Sequence, residues 1–504
     1  MTEHLDVVIV GAGLSGIGAA YRLQTMCPDR SYTILEGRQD MGGTWDLFRY
    51  PGVRSDSDMY TLGYPFRPWD DAKSIADGPS ILRYIRRTAT ENGIDRRIRY
   101  GQRVVAASWS SADSRWTLDV QLTGADGTTG SSRMTCNFLY LCVGYYRYDR
   151  GYFPEFPGRD SFTGELVHPQ HWPENLDYAG KKVVIIGSGA TAVTLGPAMA
   201  STAASVTIVQ RSPTWIVSAP SVDPTAEKVK RRLPPRLAHG TLRWKNVARG
   251  TAFYQLCQRR PEAAKKMILQ QAAAALPEGF DIDTHLTPTY RPWDQRMCLV
   301  PDGDFFEAIR SGSMSLVTDR IETFTSDGIE LVSGQKLEAD VIVSATGLEL
   351  VTCGGIDLTV DGEAVDPADR FVYRGFMLSG VPNLAFSFGY TNASWTLRSD
   401  LTSRAVCRLL RRMRRRGVDR AVPRPATEDM EARPFLPLTS GYVTRATAVL
   451  PKQGPAAPWR IRQNYVLDLL DATFGDRGQS LDMSPARPGT PAPLEQPVAE
   501  PAGR

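Results

Sequence analysis

Between Ser161 and Tyr178 the chain reads SFTGELVHPQHWPENLDY. Phe162, Gly164, His168, His171 and the pair Trp172-Pro173 crowd together there, with neither the apolar period of a helix nor the alternation of a strand. Two histidines beside a tryptophan could ligate a metal, serve as a base, or build an aromatic turn that packs two domains together. Zinc would need further Cys or His at ligand spacing, and the chain holds only five His, so no metal site is expected. A second kind of chemistry is written in glycine. Gly11-Ala12-Gly13-Leu14-Ser15-Gly16 fits GxGxxG, and Gly187-Ser188-Gly189-Ala190-Thr191-Ala192 fits GxGxxA. Glycine at that spacing permits a tight turn, backbone approach to a pyrophosphate and close helix packing, so each run reads as a dinucleotide cradle.

The elements around these runs agree with that reading. An apolar strand over Val7 to Val10 precedes the first run, an Ala-rich helix follows it, and the next strand, SYTILE, ends on Glu36, where a carboxylate can accept hydrogen bonds from ribose hydroxyls. The grammar returns in KKVVIIGSGATAVTLGPAMA, whose second strand runs into Gln210-Arg211-Ser212. An acid at that strand end would repel a 2′-phosphate, whereas Arg211 can pair with one, which favours NADPH over NADH. A plain surface arginine is the alternative. FLYLCVG (138–144) and ADVIVSATG (339–347) close the two units as apolar strands running into glycine turns. The fold class expected is α/β, with two dinucleotide-binding Rossmann-like domains. The plan is 1–145 for the first domain, 146–175 for a linker, 176–345 for the second domain with a helical insertion at about 224–285, and 346–474 for completion of the first. Near 400–416, Val406, Leu409, Leu410 and Met413 form one apolar helix stripe. From 475 to 504 the chain is dense in Pro, Gly and Ala and is expected to be disordered.

Net charge is +4 over 504 residues, too mild to announce nucleic acid. Basic residues nevertheless cluster between Lys228 and Lys266 and between Arg404 and Arg416. Each cluster is a solvated helix face or a point of peripheral contact with the inner face of the cell membrane. Seven scattered cysteines without CxxC spacing argue for a reducing compartment. The polar start MTEHLD is no signal peptide, and no apolar run reaches the roughly 18 to 20 residues a membrane helix needs, so a cytoplasmic location is expected. Oligomeric state is not legible.

One stretch is more specific. GGTWDLFRYPGVRSD, Gly42 to Asp56, resembles the [AG]GxWxxxx[FY]P[GM]xxxD signature of Baeyer–Villiger flavin monooxygenases at every fixed position. Phe162, Gly164, His168, Trp172 and Pro173 are similar to the same family's FxGxxxHxxxW[PD]. The likeness extends over residues 1 to about 470. It implies FAD in the first unit and NADPH in the second, with a peroxide formed at the flavin C4a as the oxygenating species. Ketones would become esters or lactones, and sulfur compounds such as thioamides would be S-oxygenated. It further implies that Arg296 is the cation facing the flavin, oriented by Asp56, although the lysine that usually precedes this arginine is Gln295 here.

By the same likeness Gly11, Gly13, Ser15, Gly16, Glu36, Gly43, Thr44, Trp45, Asp46, Leu47, Asp56 and Val104 contact FAD. Arg54, Ser55, Asp56, Gly187, Ser188, Gly189, Ala190, Thr191, Ala192, Val193, Arg211 and Ser212 contact NADPH. His168 and its neighbours become a hinge between the domains, neither ligands nor base. Asn392 and Trp395 are candidate borders of the substrate pocket. Two other functions stay open: a heteroatom monooxygenase without ketone activity, and a non-catalytic dinucleotide sensor.

Overall fold

The computed structural model describes residues 2–425, 429–474, 478 and 480–485. Two sheets organise them. The larger has nine strands and is built around Glu3–Val10, which lies parallel to Tyr32–Leu35 on one side and to Thr129–Leu141 on the other. Val7, Val8, Ile9 and Val10 are all buried, because a parallel strand covered on both faces needs an unbroken apolar run. Gln102–Ser110 and Arg115–Thr123 extend this sheet antiparallel, and Asp357–Val360 and Leu384–Phe386 return to it from much later in the chain.

The second sheet has five strands, all parallel: Met314–Thr318, Ser205–Gln210, Lys182–Ile186, Val341–Ser344 and Glu165–Val167. Helices Ala226–Arg232, Pro235–Arg259, Pro261–Ala275 and Ile282–Leu286 lie between its strands in sequence. The chain crosses between the sheets twice, and the crossings, Tyr146–Gly151 and Leu348–Leu350, pair antiparallel with each other.

Helix Trp395–Arg416 carries the expected stripe, with Val406, Leu409, Leu410 and Met413 buried, but it begins five residues before the expected start. Its first turns are polar yet buried. Asp400 accepts from Arg22 Nε at 2.7 Å, and Ser403 Oγ lies 3.0 Å from the Tyr140 hydroxyl. Polar residues satisfied inside the protein leave no apolar period for a sequence to display.

The tail expectation also needs correction. Leu481–Ser484, free of Pro and Gly, forms a strand antiparallel to Arg420–Pro423, while 486–504 lie outside the described residues. Among the described residues no helix is long and apolar enough to cross a membrane.

Candidate active site

Helix Leu14–Met26 starts at Gly13 with no side chain capping its first amides, and helix Ala190–Ala200 starts at Gly189 in the same way. Helix Gly78–Glu91, by contrast, is capped by Asp77, and Ile282–Leu286 by Asp281. The two glycine runs therefore leave their orphan N–H groups for an anion. Their geometry repeats. Gly11 has φ +100° and a side chain there would lie 2.6 Å from the Cys142 carbonyl oxygen; Gly187 has φ +138° and would meet the Ala345 oxygen at 2.4 Å. At the third position they differ, since a Cβ on Gly16 would lie 1.9 Å from the Gly11 oxygen, whereas Ala192 is accommodated and fully buried.

A cavity of about 470 Å³ opens beyond the first run. Gly11, Gly13 and Ser15 line it, as do Glu36, Gly43, Thr44, Trp45, Val104, Ser55 and Asp56. Glu36 is held in place by two backbone donors, Ala12 N at 2.7 Å to one oxygen and Arg38 N at 3.0 Å to the other. Burial pushes its carboxyl above the usual range against the pull of those bonds.

Some expected contacts lie elsewhere. Gly16, Leu47 and Asp46 are off the cavity wall, and Asp46 is buried in an ion-pair cluster with Arg38 at 2.5 Å and Arg86 at 3.5 Å. Trp395 lines the cavity, its Nε1 donating to Ser15 Oγ at 2.8 Å. Asn392 does not line it and donates instead to the Gln463 carbonyl at 2.8 Å.

Arg296 reaches the same cavity from the other unit, two residues before the strand Cys298–Pro301. Trp293, at φ +74°, bends the chain there, and Thr439 N donates to the Asp294 carbonyl at 3.0 Å to fix the loop. The Arg296 Nη2 donates to Asp56 Oδ2 at 2.9 Å. The Asp56 charge raises the guanidinium above even its ordinary range against the opposing cost of desolvation. Tyr145 stacks on Trp395 with ring centres 5.3 Å apart, and its hydroxyl lies 2.9 Å from that of Tyr146. Burial raises both phenols far out of the physiological range.

These tyrosines, with Tyr148, are cavity residues that the sequence reading did not single out. A signal existed: they directly follow FLYLCVG, and ligands of open α/β sheets bind beyond the C-terminal ends of strands.

Arg54, two residues from Asp56, pairs with Asp304 at the start of helix Asp304–Arg310 and does not line the cavity. The GxGxxA cradle stands apart from the cavity too. Gly189 and Ala190 are exposed, Ser188 and Thr191 half-exposed, and Val193 buried. Arg211 and Ser212 are exposed, and Arg211 forms no ion pair among the described residues.

The 161–178 stretch lies where the chain crosses. His168 Nε2 donates to the Gly347 carbonyl at 3.1 Å, and its Nδ1 accepts from Gln170 N at 3.2 Å, which fixes the neutral tautomer with hydrogen on Nε2. Burial lowers its pKa and favours that state. Its ring fills the space over Gly151, where a Cβ would lie 2.0 Å away. Gly164 is likewise closed by Asp340 O and the Phe162 ring, and Trp172 packs edge-on to Tyr178. Pro173 and His171 are exposed. Both crossing strands are thus pinned by one imidazole. Among the described residues no cluster of three or more His, Cys, Asp or Glu could hold a metal.

Residues 5–225 match the family model described as FMO-like, flavin-binding monooxygenase-like. The chain is 56% identical to the FAD-containing monooxygenase EthA of Mycobacterium tuberculosis, across 93% of this chain and 95% of that protein. It is 47% identical to the probable FAD-binding monooxygenase AlmA of Acinetobacter baylyi, across 94% and 96%. Among solved structures it resembles cyclohexanone monooxygenase from Rhodococcus sp. Phi1 bound to NADP+, with TM-score 0.75, 19% identity and coverage of 96% and 100%. It also resembles OTEMO in complex with FAD and NADP, with TM-score 0.70, 23% identity and coverage of 85% and 88%.

Proposed function

The chain belongs to the FMO-like, flavin-binding monooxygenase family, and from that premise we propose that it uses FAD and NADPH to insert one oxygen atom of O2 into ketones, giving esters or lactones, and into sulfur compounds such as thioamides. The observation that carries this reading is the Arg296–Asp56 pair at the wall of the first cavity.

The residues fit both cofactors. For FAD they offer the uncapped start of Leu14–Met26, a glycine turn that no Cβ could enter, and a Glu36 carboxylate already aimed by two amides. For NADPH they offer the uncapped start of Ala190–Ala200 and the exposed Arg211, which has no ion pair among the described residues. Bound flavin supplies hydride acceptance and activation of O2. The chain's own part is electrostatic: Arg296 presents a fixed positive charge where negative charge would gather on oxygen, and Asp56 aims it. Tyr145 and Trp395 stack on one another in the same cavity and give it an aromatic wall. With a bound flavin supplying the oxygen for either a ketone carbonyl or a soft sulfur, Arg296 would hold the negative charge that gathers on that oxygen.

His168 belongs to the same proposal as a hinge residue, since it ties together the crossings on which any relative motion of the two sheets would turn. Seven buried cysteine thiols accord with a reducing cytoplasmic setting.

The test is purified protein reconstituted with FAD, assayed for NADPH-dependent oxygen uptake and for products from an aryl ketone and an aryl sulfide. Ester and sulfoxide together support the proposal. Sulfoxide with every ketone unchanged would reduce it to a heteroatom monooxygenase, and flavin binding without oxygen uptake would leave a sensor.

A further inference from the structure

Helix Trp395–Arg416 has two working faces. Val406, Leu410 and Met413 are buried in the core shared with helix Leu14–Met26. The other face opens on a separate cavity of about 590 Å³, within the usual size of small-molecule sites. Leu401 and Leu409 from the helix, with Phe376, Met377 and Leu481 opposite, give it an apolar floor. Its rim is arginine. Among the described residues two acids line it, and both are engaged: Asp468 lies 3.6 Å from Arg398, and Asp471 lies 2.8 Å from Arg374. Arg408 donates to the Ala472 carbonyl at 2.6 Å. That leaves Arg411, Arg412, Arg415 and Arg416 on the rim with no ion pair among the described residues.

A helix C-terminus attracts cations, which accounts for arginine in the last turn. It does not account for two features. Arg411 and Arg415, and Arg412 and Arg416, are like charges at i,i+4, which destabilise a helix. Arg412 Nη1, whose guanidinium packs beside Gly478, is also buried with no hydrogen-bond partner among the described residues, the costly way to leave a charged donor. An anion seated against Arg412 and Arg415 removes both costs, while the apolar floor beneath them has room for a hydrocarbon chain.

We infer that this cavity is a second binding site, distinct from the flavin cavity, for a free single-chain amphiphile with an anionic oxygen head group, of the fatty carboxylate type. The head group takes the fork of Arg412 and Arg415, and the chain lies over Leu401, Leu409 and Phe376. The site also abuts the first cavity, because Asp468 accepts from the Tyr390 hydroxyl at 2.6 Å and Tyr390 lines the flavin cavity.

The experiment is calorimetric titration of the full-length, FAD-reconstituted protein with monomeric decanoate, acetate and the neutral amphiphile decyl maltoside, on parent and Arg412→Gln/Arg415→Gln proteins. Decanoate binds the parent, the double variant binds it roughly ten- to a hundredfold more weakly, and the other two probes do not compete. Hydrogen exchange on the parent protein gives an independent readout, with decanoate slowing exchange in 405–416 and 465–472. Unchanged affinity in the double variant, acetate binding as tightly as decanoate, or protection confined to 10–16 and 42–57 would each overturn the inference. So would attachment to anionic vesicles with no binding of monomeric decanoate.

Discussion

Asp56 Oδ2 and Arg296 Nη2 stand 2.9 Å apart although 240 residues separate them in the chain. Asp56 ends the GGTWDLFRYPGVRSD stretch of the first unit, and Arg296 hangs from a bent loop of the second. Two residues earlier the polarity is reversed, with Arg54 of the first unit pairing with Asp304 of the second. The two units are therefore clasped by crossed charges beside the cavity.

Removing the acid and keeping the cation separates aiming from charge. Asp56→Asn should retain FAD and lower the product formed per NADPH by roughly tenfold, and Asp56→Ala by up to a hundredfold, as expected when the charge alone, or the charge together with its hydrogen bond to Arg296, is lost. Product yield against NADPH consumed, by chromatography and absorbance, checks this.

Coenzyme choice rests on Arg211. Arg211→Ala should raise KM for NADPH roughly ten- to a hundredfold and leave NADH nearly unaffected, because only the 2′-phosphate needs the guanidinium. Equal loss for both coenzymes would mean that Arg211 serves the fold.

Stability should carry a histidine signature. His239, on Pro235–Arg259, is buried with its Nε2 on the Tyr64 carbonyl at 3.1 Å, and burial, followed by the Arg243 charge, lowers its pKa to about 4. The unfolded chain takes this proton below about pH 6.5, whereas the folded chain resists until about pH 4. Stability is thus full above the unfolded value and is lost as pH falls through that window, by about 2–3 kcal/mol. Urea melts at pH 7 and pH 4.5 should show a smaller loss for His239→Gln than for the parent protein.

Much of this was legible in the sequence, for a mechanical reason. A Cβ at Gly11 or Gly187 would lie 2.6 or 2.4 Å from a carbonyl oxygen in its turn, so composition at those positions is dictated by sterics that spacing alone reveals. Glu36 directly follows the strand Tyr32–Leu35, and its carboxylate accepts from the neighbouring Ala12 and Arg38 amides. What spacing could not reveal are partners set by the tertiary fold. Asp46 lies inside a recognisable stretch yet turns to Arg38 and Arg86. The polar opening of Trp395–Arg416 looks like a loop because its partners, Ser15 and Arg22, lie some 380 residues away. Arg296 was found through resemblance; nothing in RPWDQRMCLVP by itself says that its side chain meets Asp56.

The central claim is that Arg296 supplies the positive charge that couples NADPH oxidation to oxygen insertion. The most direct measurement is the ratio of oxygenated product and of released hydrogen peroxide to NADPH consumed, in parent and Arg296→Ala proteins of equal FAD content. The account predicts that the variant keeps its flavin and still oxidises NADPH, while product per NADPH falls roughly a hundredfold, the usual loss when a stabilising donor to a developing oxyanion is removed, and hydrogen peroxide rises to match. A variant that forms product at the parent ratio, with no added hydrogen peroxide, would contradict it.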